Sequence, residues 1–452
     1  MQNDLIFVLT GLVVLIGGFL AFRRSRDPLH PGVFLAPLLA GGYAVWPLAL
    51  NRGGAIEDLF GSTLVEKVAT LYACSLFAFY VGLLHSARVA RRLRADPESG
   101  RRNAFAWTIE EVQRRHIYRT ALFLGSLAVA AYWYTLSAVG GFFEAYSRHK
   151  GGGYATSGYV GEAGLLAYPG IILLAIARNR RRIRPIDVLA AIFLASPHLL
   201  QGIVGGRRGP LFLVFATLFL AWYLAKGSPP TLRTAAAGMA TIVVAVIFVW
   251  TQRQHVYLGS EGAVDVSRVQ TVLEPEDLRQ NDYVSGITSV LTADHFGRFY
   301  WGYRYLVTVL IRPIPRQLWP TKYEDVGATW LGQFEKDEGG AETFEAVGFY
   351  SPMGSSIGFI ADLYQEFWWF CVVVTYLFGR LHAWCWLKHR LQGGLWTLLF
   401  CEMLMLAIYV PTQSFSAWFH RYLFMAFFSI LFWNWSIRAP RASRRVGAAR
   451  LA

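Results

Sequence analysis

Long apolar runs, separated by short polar stretches, dominate the pattern of hydrophobic and polar positions along this chain. About eleven of these runs approach the ~20 residues that an α-helix needs to cross a hydrocarbon core of ~30 Å. The pattern therefore predicts an all-α polytopic membrane protein with about 11 transmembrane helices. The predicted spans are 4–22, 33–50, 64–87, 117–140, 163–178, 186–204, 209–225, 234–252, 354–379, 394–411 and 421–437.

The amino-acid composition agrees with this class. Charged residues make up 16% of the chain, whereas soluble domains average about 25%. An outer-membrane β-barrel would instead show alternating strands of about 10 residues. The four cysteines lie in or beside apolar runs and lack the spacing of a disulfide framework or a metal site.

Positive charge follows alternate spans. The net charge of +14 is carried largely by clusters directly after apolar runs, such as Arg23-Arg24-Ser25-Arg26 and the stretch from Arg438 to Arg445. This is the positive-inside pattern, and it argues against a nucleic-acid partner. It predicts a multi-pass topology with the N-terminus outside and the C-terminus in the cytoplasm. The first span lacks a preceding positive region, so we do not expect a cleaved signal peptide.

One long polar segment, 253–351, interrupts the apolar pattern and is predicted to lie outside. It carries 14 acidic and 9 basic residues, a net charge of −5 that leaves +19 for the rest of the chain. Its aromatic and apolar stretch 296–311 is expected to lie on or dip into the outer leaflet. The predicted organisation is a bundle of about eight spans, a large extracytoplasmic loop, a bundle of about three spans and a basic cytoplasmic tail. These parts are assigned to 1–252, 253–351, 352–438 and 439–452.

Two adjacent arginines depart from the positive-inside pattern. Arg207 and Arg208 lie in Gly205-Gly206-Arg207-Arg208-Gly209-Pro210, between two spans on the predicted outer side. Arginine binds phosphate in a bidentate manner, and glycine lets the backbone approach the ligand. The loop is thus a candidate diphosphate site. Contact with lipid headgroups is the alternative.

A second basic group surrounds prolines in the long segment. Proline fixes the backbone there, and the cationic side chains between the prolines could hold phosphate or sugar-acid groups. The alternative is an interfacial anchor whose cations reach the headgroups. The candidate residues are Arg298, Arg304, Arg312, Arg316, Trp319 and Lys322.

Acid–base candidates lie near the last spans. Asp362 and Glu366 are one helical turn apart and share a face, so either could act as a general base or pair with an arginine, and pairing is favoured. His420, beside Arg421, could deprotonate a substrate hydroxyl, although a histidine hydrogen-bonded to backbone is commoner. The acidic pairs Glu57-Asp58 and Glu324-Asp325 could hold a divalent metal, but solvated loop charge is the better interpretation, and we predict no metal.

Three passages resemble a known family, the oligosaccharide repeat-unit polymerases, or Wzy-type O-antigen polymerases. The first is Gly206-Arg207-Arg208-Gly209-Pro210, and the second and most specific is Ile314-Pro315-Arg316-Gln317-Leu318-Trp319-Pro320-Thr321-Lys322. The third runs from Met353 through Asp362 to Phe367. The chain departs from the family pattern at Asp362, where glutamate is frequent, and at Trp368, where glycine is.

The resemblance implies a C-type glycosyltransferase fold in the bacterial inner membrane. It implies that donor and acceptor are undecaprenyl-diphosphate-linked oligosaccharides, with no cofactor, and it allows a chain-length regulator protein as a further partner. On this interpretation Arg207 and Arg208 bind one diphosphate, and Arg304, Arg312 and Arg316 bind the second. The catalytic group would be Arg207, Arg208, Arg316, Asp362, Glu366 and His420.

The remaining candidates would contact the substrate. The aromatic side chains of Tyr300 and Trp301 would stack on sugars, unless they only anchor the chain in the membrane. An O-antigen ligase, which transfers finished polymer to lipid A core, is the nearest alternative. A flippase for lipid-linked oligosaccharides is a different class, and so is a scaffold subunit of an envelope assembly. The substrate-binding candidates are Arg298, Tyr300, Trp301, Arg304, Arg312, Trp319, Lys322 and Arg421.

Overall fold

The computed structural model describes residues 2–94, 109–147, 160–251, 282–314, 318–328, 338–348 and 356–448. Within these ranges every regular element is a helix, which confirms the all-α prediction. Among the described residues, nine helical stretches are long and apolar enough to cross a membrane by length and composition. The other two predicted spans coincide with shorter apolar helices, Ala163–Arg178 and Leu232–Ala245. The protein is thus a multi-pass membrane protein, whereas the count of eleven and the orientation stay predictions.

The first half of the chain contains a π-helical turn, Gly41–Val45, and a 3-10 turn, Ala163–Leu166. It also contains twelve α-helices in the described ranges. They are α1 (Gln2–Ser25), α2 (Pro31–Phe34), α3 (Ala36–Ala40), α4 (Trp46–Arg52), α5 (Ala55–Phe60), α6 (Ser62–Arg94), α7 (Glu111–Ser137), α8 (Phe142–Ser147), α9 (Ala167–Arg178), α10 (Pro185–Ile203), α11 (Arg208–Lys226) and α12 (Leu232–Thr251).

The second half adds nine α-helices in its described ranges. The helices are α13 (Asp282–Phe296), α14 (Tyr303–Leu306), α15 (Lys322–Asp325), α16 (Glu338–Val347), α17 (Gly358–Phe367), α18 (Cys371–Gln392), α19 (Leu395–Met405), α20 (Tyr409–Thr412) and α21 (Phe415–Ala448). A π-helical turn, Val307–Ile311, follows α14, and 3-10 turns precede α18 and α20, at Trp368–Phe370 and Leu406–Ile408.

The chain divides into two compact units, each assembled from three stretches of sequence. Unit 1 comprises Met1–Ala95, Pro275–Trp386 and Leu406–His420, and unit 2 comprises Asp96–Glu274, Leu387–Met405 and Arg421–Ala452. Much of the segment predicted as a separate loop therefore belongs to the same unit as the first spans. Likewise α21 extends to Ala448, through most of the stretch predicted as a tail.

In unit 1 the buried helix α13 lies inside the predicted loop. Its residues from Tyr283 to Leu291 are all buried, and a Cβ on Gly286 would lie 2.6 Å from the Tyr72 hydroxyl and 2.8 Å from the Ile357 carbonyl. Only glycine permits this approach. The apolar residues at 284, 287 and 291 have helical spacing, which the predominantly polar character of the surrounding segment obscures.

Helices α6 and α18 of unit 1 cross at two glycines. A Cβ on Gly82 would lie 2.3 Å from the Tyr376 carbonyl oxygen, and one on Gly379 would lie 2.2 Å from the Phe79 carbonyl oxygen. Inside a bilayer no hydrophobic effect drives helices together. Small residues that let two backbones touch are therefore a main source of helix association in membranes. Phe79 and Phe378 pack beside the crossing at 5.8 Å between ring centroids.

Unit 2 contains a comparable crossing of α7 and α9. A Cβ on Gly170 would lie 3.1 Å from the Ala121 carbonyl oxygen and 3.2 Å from the Gly125 Cα. Polar side chains then close the helix ends. Arg114 donates to the Asn179 carbonyl at 3.1 Å, and Asn179 donates its side-chain amide to the Leu224 carbonyl at 2.7 Å. These bonds satisfy carbonyls that the helices leave without intrahelical partners.

We predict that Gly82→Ala and Gly379→Ala each destabilise the protein, because the new methyl group must push two backbones apart. Overpacking of this kind costs about 1–3 kcal/mol. The matched control is Gly41→Ala, also at a helical position, where an added Cβ would meet nothing within 4 Å. Thermal unfolding in detergent should give lower midpoints for the first two variants and a near-native midpoint for the control. Equal midpoints for all three would contradict the close crossing.

Candidate functional site

Arg304 is the centre of a buried polar network in unit 1. It lies on α14, and its guanidinium donates to the Asp362 carboxylate at 2.8 Å and to the Gln365 side-chain oxygen at 2.5 Å. Its Nε lies 3.3 Å from Glu366 Oε1. The three acceptors occupy one face of α17 because positions i, i+3 and i+4 point the same way. The structure therefore places Asp362 and Glu366 in ion pairs with an arginine.

Burial makes this ion cluster energetically demanding. The Asp362 and Glu366 side chains are fully buried, and the Arg304 side chain is 16% exposed. Removing ions from water costs several kcal/mol each, so such a cluster persists only where further hydrogen bonds satisfy its oxygens. Asp362 Oδ2 accepts from the Tyr305 hydroxyl at 3.0 Å, and Glu366 Oε2 accepts from the Gly302 amide at 2.8 Å.

Asp362 also caps the last helix. Its Oδ2 accepts a hydrogen bond from the Ser416 amide at 2.9 Å, in the first turn of α21. Ser414 Oγ accepts from the Ala417 amide at 3.0 Å. Both bonds use amides that a helix start leaves unsatisfied, and a carboxylate is favoured there by the helix dipole. The ion cluster and the start of α21 are thus joined by one side chain.

His420 lies one helical turn beyond this cap. Its Nδ1 is 2.7 Å from the Ser416 carbonyl oxygen, so in the neutral ring Nδ1 carries the proton and Nε2 is the basic nitrogen, an assignment that follows from the hydrogen bond. The histidine is buried. The backbone bond foreseen as the commoner case is present, and it sets the tautomer that a general base would need.

The backbone beside the cluster is strained. The Tyr300 amide donates to the Gln365 carbonyl at 3.1 Å, and the Trp301 amide to the Glu366 carbonyl at 2.6 Å. Trp301 and Trp368 adopt φ values of +52° and +51°. Bulky residues rarely occupy this left-handed region, at a cost of about 1–3 kcal/mol each. The two backbone hydrogen bonds between residues 300–301 and residues 365–366 hold this backbone conformation in place.

The proline-containing segment folds around Lys322. The lysine is buried, and its ammonium donates to the carbonyls of Ile311 at 3.2 Å and Arg312 at 3.0 Å, and also to that of Ile314. The Lys322 ammonium thus stabilises the turn that follows the π-helical segment Val307–Ile311 and does not face solvent. Arg312, half-buried, contributes its carbonyl to this turn. Arg316 lies outside the described residues.

Two further candidates from this region take surface partners. Trp319 donates its indole N–H to Asp325 at 2.5 Å, and this hydrogen bond, together with one from Thr321, lowers the pKa of the Asp325 carboxyl. Arg298 pairs with Glu342 at 2.7 Å, with both side chains about half exposed. Trp319 therefore lies apart from the Arg304 network, whereas the Arg298 side chain also contacts that of Tyr300.

The remaining basic candidates belong to unit 2. Arg207 precedes α11 and follows Gly206, whose φ is +59°. The charge of Arg207 opposes the rise that burial causes in the pKa of Tyr146, whose hydroxyl lies 2.5 Å from that of Tyr132. Arg208 is the first residue of α11. Arg421 Nε lies 4.0 Å from Glu162 Oε2.

The structure therefore groups the candidates into distinct sets. One network contains Arg304, Asp362, Glu366, Tyr300 and Trp301, and His420 connects to it through the backbone amide and carbonyl of Ser416. The sequence interpretation did not foresee that Gln365, Tyr305 and Ser416 would bind these charged groups. Gln365 lies between the two acids, but nothing in the sequence signals the reach of Tyr305 or the Ser416 amide. Among described residues, no group of three potential ligands could hold a metal.

Comparison with protein-family models, curated proteins and solved structures found no match to this chain. The resemblance to the repeat-unit polymerases therefore rests on the three sequence passages alone.

We predict that Arg304→Met destabilises the protein strongly, because it leaves two buried carboxylates without their cation. Breaking a buried pair costs about 3–5 kcal/mol. Arg298→Met is the matched control, since an exposed pair contributes about 0–1 kcal/mol. Thermal unfolding of both purified variants measures the difference. Similar midpoints would show that the Arg304 cluster is not the stabilising contact that its burial implies.

Proposed function

We propose that this protein is a membrane glycosyltransferase that polymerises undecaprenyl-diphosphate-linked oligosaccharide repeat units at the outer face of a bacterial inner membrane. One observation carries the proposal. The two most informative passages of the resemblance are linked through Arg304: the Met353–Phe367 passage supplies Asp362 and Glu366, and Lys322 of the other passage holds the end of the helical segment that bears Arg304. A buried ion cluster at a membrane-protein site is commonly functional.

The reaction requires little covalent chemistry from the protein. An acceptor hydroxyl oxygen forms a bond to the anomeric carbon of the growing chain, while the bond from that carbon to the lipid diphosphate breaks. The electron pair leaves with the diphosphate, and the hydroxyl proton passes to a base. The protein must orient the two sugars and stabilise the charge that develops on the leaving group.

Within this proposal the candidate residues take different roles. His420 is the base, since its Nδ1 bond to Ser416 directs the basic Nε2 away from that carbonyl. Arg304 is a positioning residue, because its charge is already balanced by Asp362 and Glu366. Arg207, Arg208, Arg312 and Arg316 are the proposed diphosphate ligands, whose charge is fixed at any working pH.

Deletion of the gene, followed by size analysis of surface glycans and of undecaprenyl-linked oligosaccharides, tests the proposal. Loss of long chains, with single repeats left on the carrier or on the lipid A core, supports a polymerase. Long polymer stranded on undecaprenyl diphosphate would mean a ligase. An unchanged pattern would overturn both and favour the flippase or scaffold alternatives.

Complementation of the deletion with Arg207→Ala or Arg316→Ala should not restore polymer, because each variant loses a ligand for the developing diphosphate charge. Removing one such contact typically lowers kcat by about 10²–10³. Arg52→Ala is the matched control, an exposed arginine whose ion pair with Asp4 is long at 3.9 Å. Immunoblotting of membranes checks insertion. Normal chain lengths with Arg207→Ala or Arg316→Ala would contradict the assignment.

Polymer formation by the purified protein in vesicles should continue in the presence of EDTA, since arginines in place of a divalent cation are proposed to balance the diphosphate charge. Product size on a gel, with and without chelator, is the measurement. A strict requirement for a divalent cation would shift the assignment towards the acidic pairs Glu57-Asp58 and Glu324-Asp325.

A further inference from the structure

The segment that bears Arg304 has an inverted distribution of polarity. In 301–314, every exposed residue is aromatic or leucine, and the others are at least partly buried. These residues are Trp301, Tyr303, Leu306 and Leu310, and they are termed here the Leu306 face. Leu306 is 58% exposed and Leu310 is 61% exposed. A water-facing helix would show the opposite arrangement.

The polar groups of the same segment turn towards the protein. Arg304 is held by the buried acids of α17, and the Tyr305 hydroxyl donates to Asp362. Thr308 is buried, and its hydroxyl donates a hydrogen bond to the Arg304 carbonyl at 2.8 Å. Positions 303, 306 and 310 have the i, i+3, i+7 spacing of one helical face, so the polar and apolar sides are cleanly separated.

The Leu306 face has the same composition as the exposed surface of a predicted span in the same unit. Helix α1, the most apolar candidate span with a mean hydropathy of 2.7, exposes Leu12, Leu15 and Phe19 and buries the polar Asn3 and Thr10. Exposed leucines with polar groups inside are the arrangement expected where hydrocarbon is the solvent.

We propose that the Leu306 face contacts the hydrocarbon of the bilayer, so that residues 301–310 form a membrane-inserted element in addition to the nine long apolar helices of the described ranges. The occupant of this face is the acyl-chain layer. The four N-terminal amides and last carbonyls of so short a helix would be costly there, and the protein supplies partners for several of them. The Glu366 carboxylate takes the Gly302 amide, and Lys322 takes the Ile311 carbonyl.

This insertion places Arg304 and its two carboxylates beside the membrane interior rather than in a solvated loop. It extends the expectation for 296–311 by assigning the face that enters the lipid and the charges that turn away from it. The inference does not depend on glycosyl transfer, because it rests on exposure and polarity alone.

Spin labels on the full-length protein in lipid vesicles provide the test. Cys74 is the one exposed cysteine among the four. It is first removed by Cys74→Ala, and this variant is the background for labelling. Labels are then attached at Leu306→Cys and Leu310→Cys, and their collision rates with oxygen and with a water-soluble nickel chelate are compared. Leu15→Cys, on the exposed surface of α1, is the lipid control, and Glu324→Cys, at an exposed position of α15, is the water control.

The oxygen-to-nickel ratio at positions 306 and 310 is expected to match that of Leu15→Cys and to exceed that of Glu324→Cys, because apolar oxygen enters hydrocarbon and the nickel chelate stays in water. A ratio like that of Glu324→Cys would overturn the proposal. Low collision rates with both reagents would also overturn it, since they would mean that a protein segment covers the face.

A second measurement needs no substitution. The unmodified protein is reconstituted with a phospholipid that carries a photoreactive diazirine in its acyl chain, irradiated and mapped by mass spectrometry. Labelled peptides from 301–314, alongside those from α1, are the expected result. Labelling of α1 without any in 301–314 would refute the insertion.

Discussion

The pairing of Arg304 with Asp362 and Glu366 is the interaction on which the arrangement of unit 1 depends. Charges removed from water are stable only when every partner is in place, and the partners come from three separate stretches of chain. The segment 300–305 provides the cation and a tyrosine hydroxyl, α17 provides the acids, and the first turn of α21 provides an amide. Displacement of any one of these three stretches would leave a buried charge without a partner.

Close helix packing provides the second constraint, and it explains how the cluster can be held so firmly. Where α6 and α18 cross, Gly82 and Gly379 bring backbone against backbone, and Gly286 brings α13 equally close to its neighbours. In a membrane the association of helices relies on such contacts and on polar bonds between helices. The glycines fix the frame, and the ion cluster then connects the segments that the frame brings near one another.

The site residues follow from both constraints, which is why the sequence alone could identify only some of them. Asp362 and Glu366 stood out because carboxylates are rare in apolar runs and because their spacing puts them on one helix face. Their pairing with an arginine was foreseen as the favoured alternative. The choice of Arg304 over Arg298 or Arg312 was not, since these arginines are equivalent in the sequence. Lys322 was equally conspicuous, yet its ammonium serves the backbone of its own turn.

The sequence by itself determined the class of the protein and the approximate positions of its membrane helices, because transfer of apolar side chains out of water depends on local composition. It also indicated a polar segment with arginines and prolines. Only the tertiary structure decided that α13, within this segment, is a buried core helix, that the Leu306 face turns apolar side chains outward, and that Ser416 offers its amide to Asp362. These features depend on contacts between residues distant in the chain, and no local pattern of polarity encodes which distant group will satisfy a buried charge.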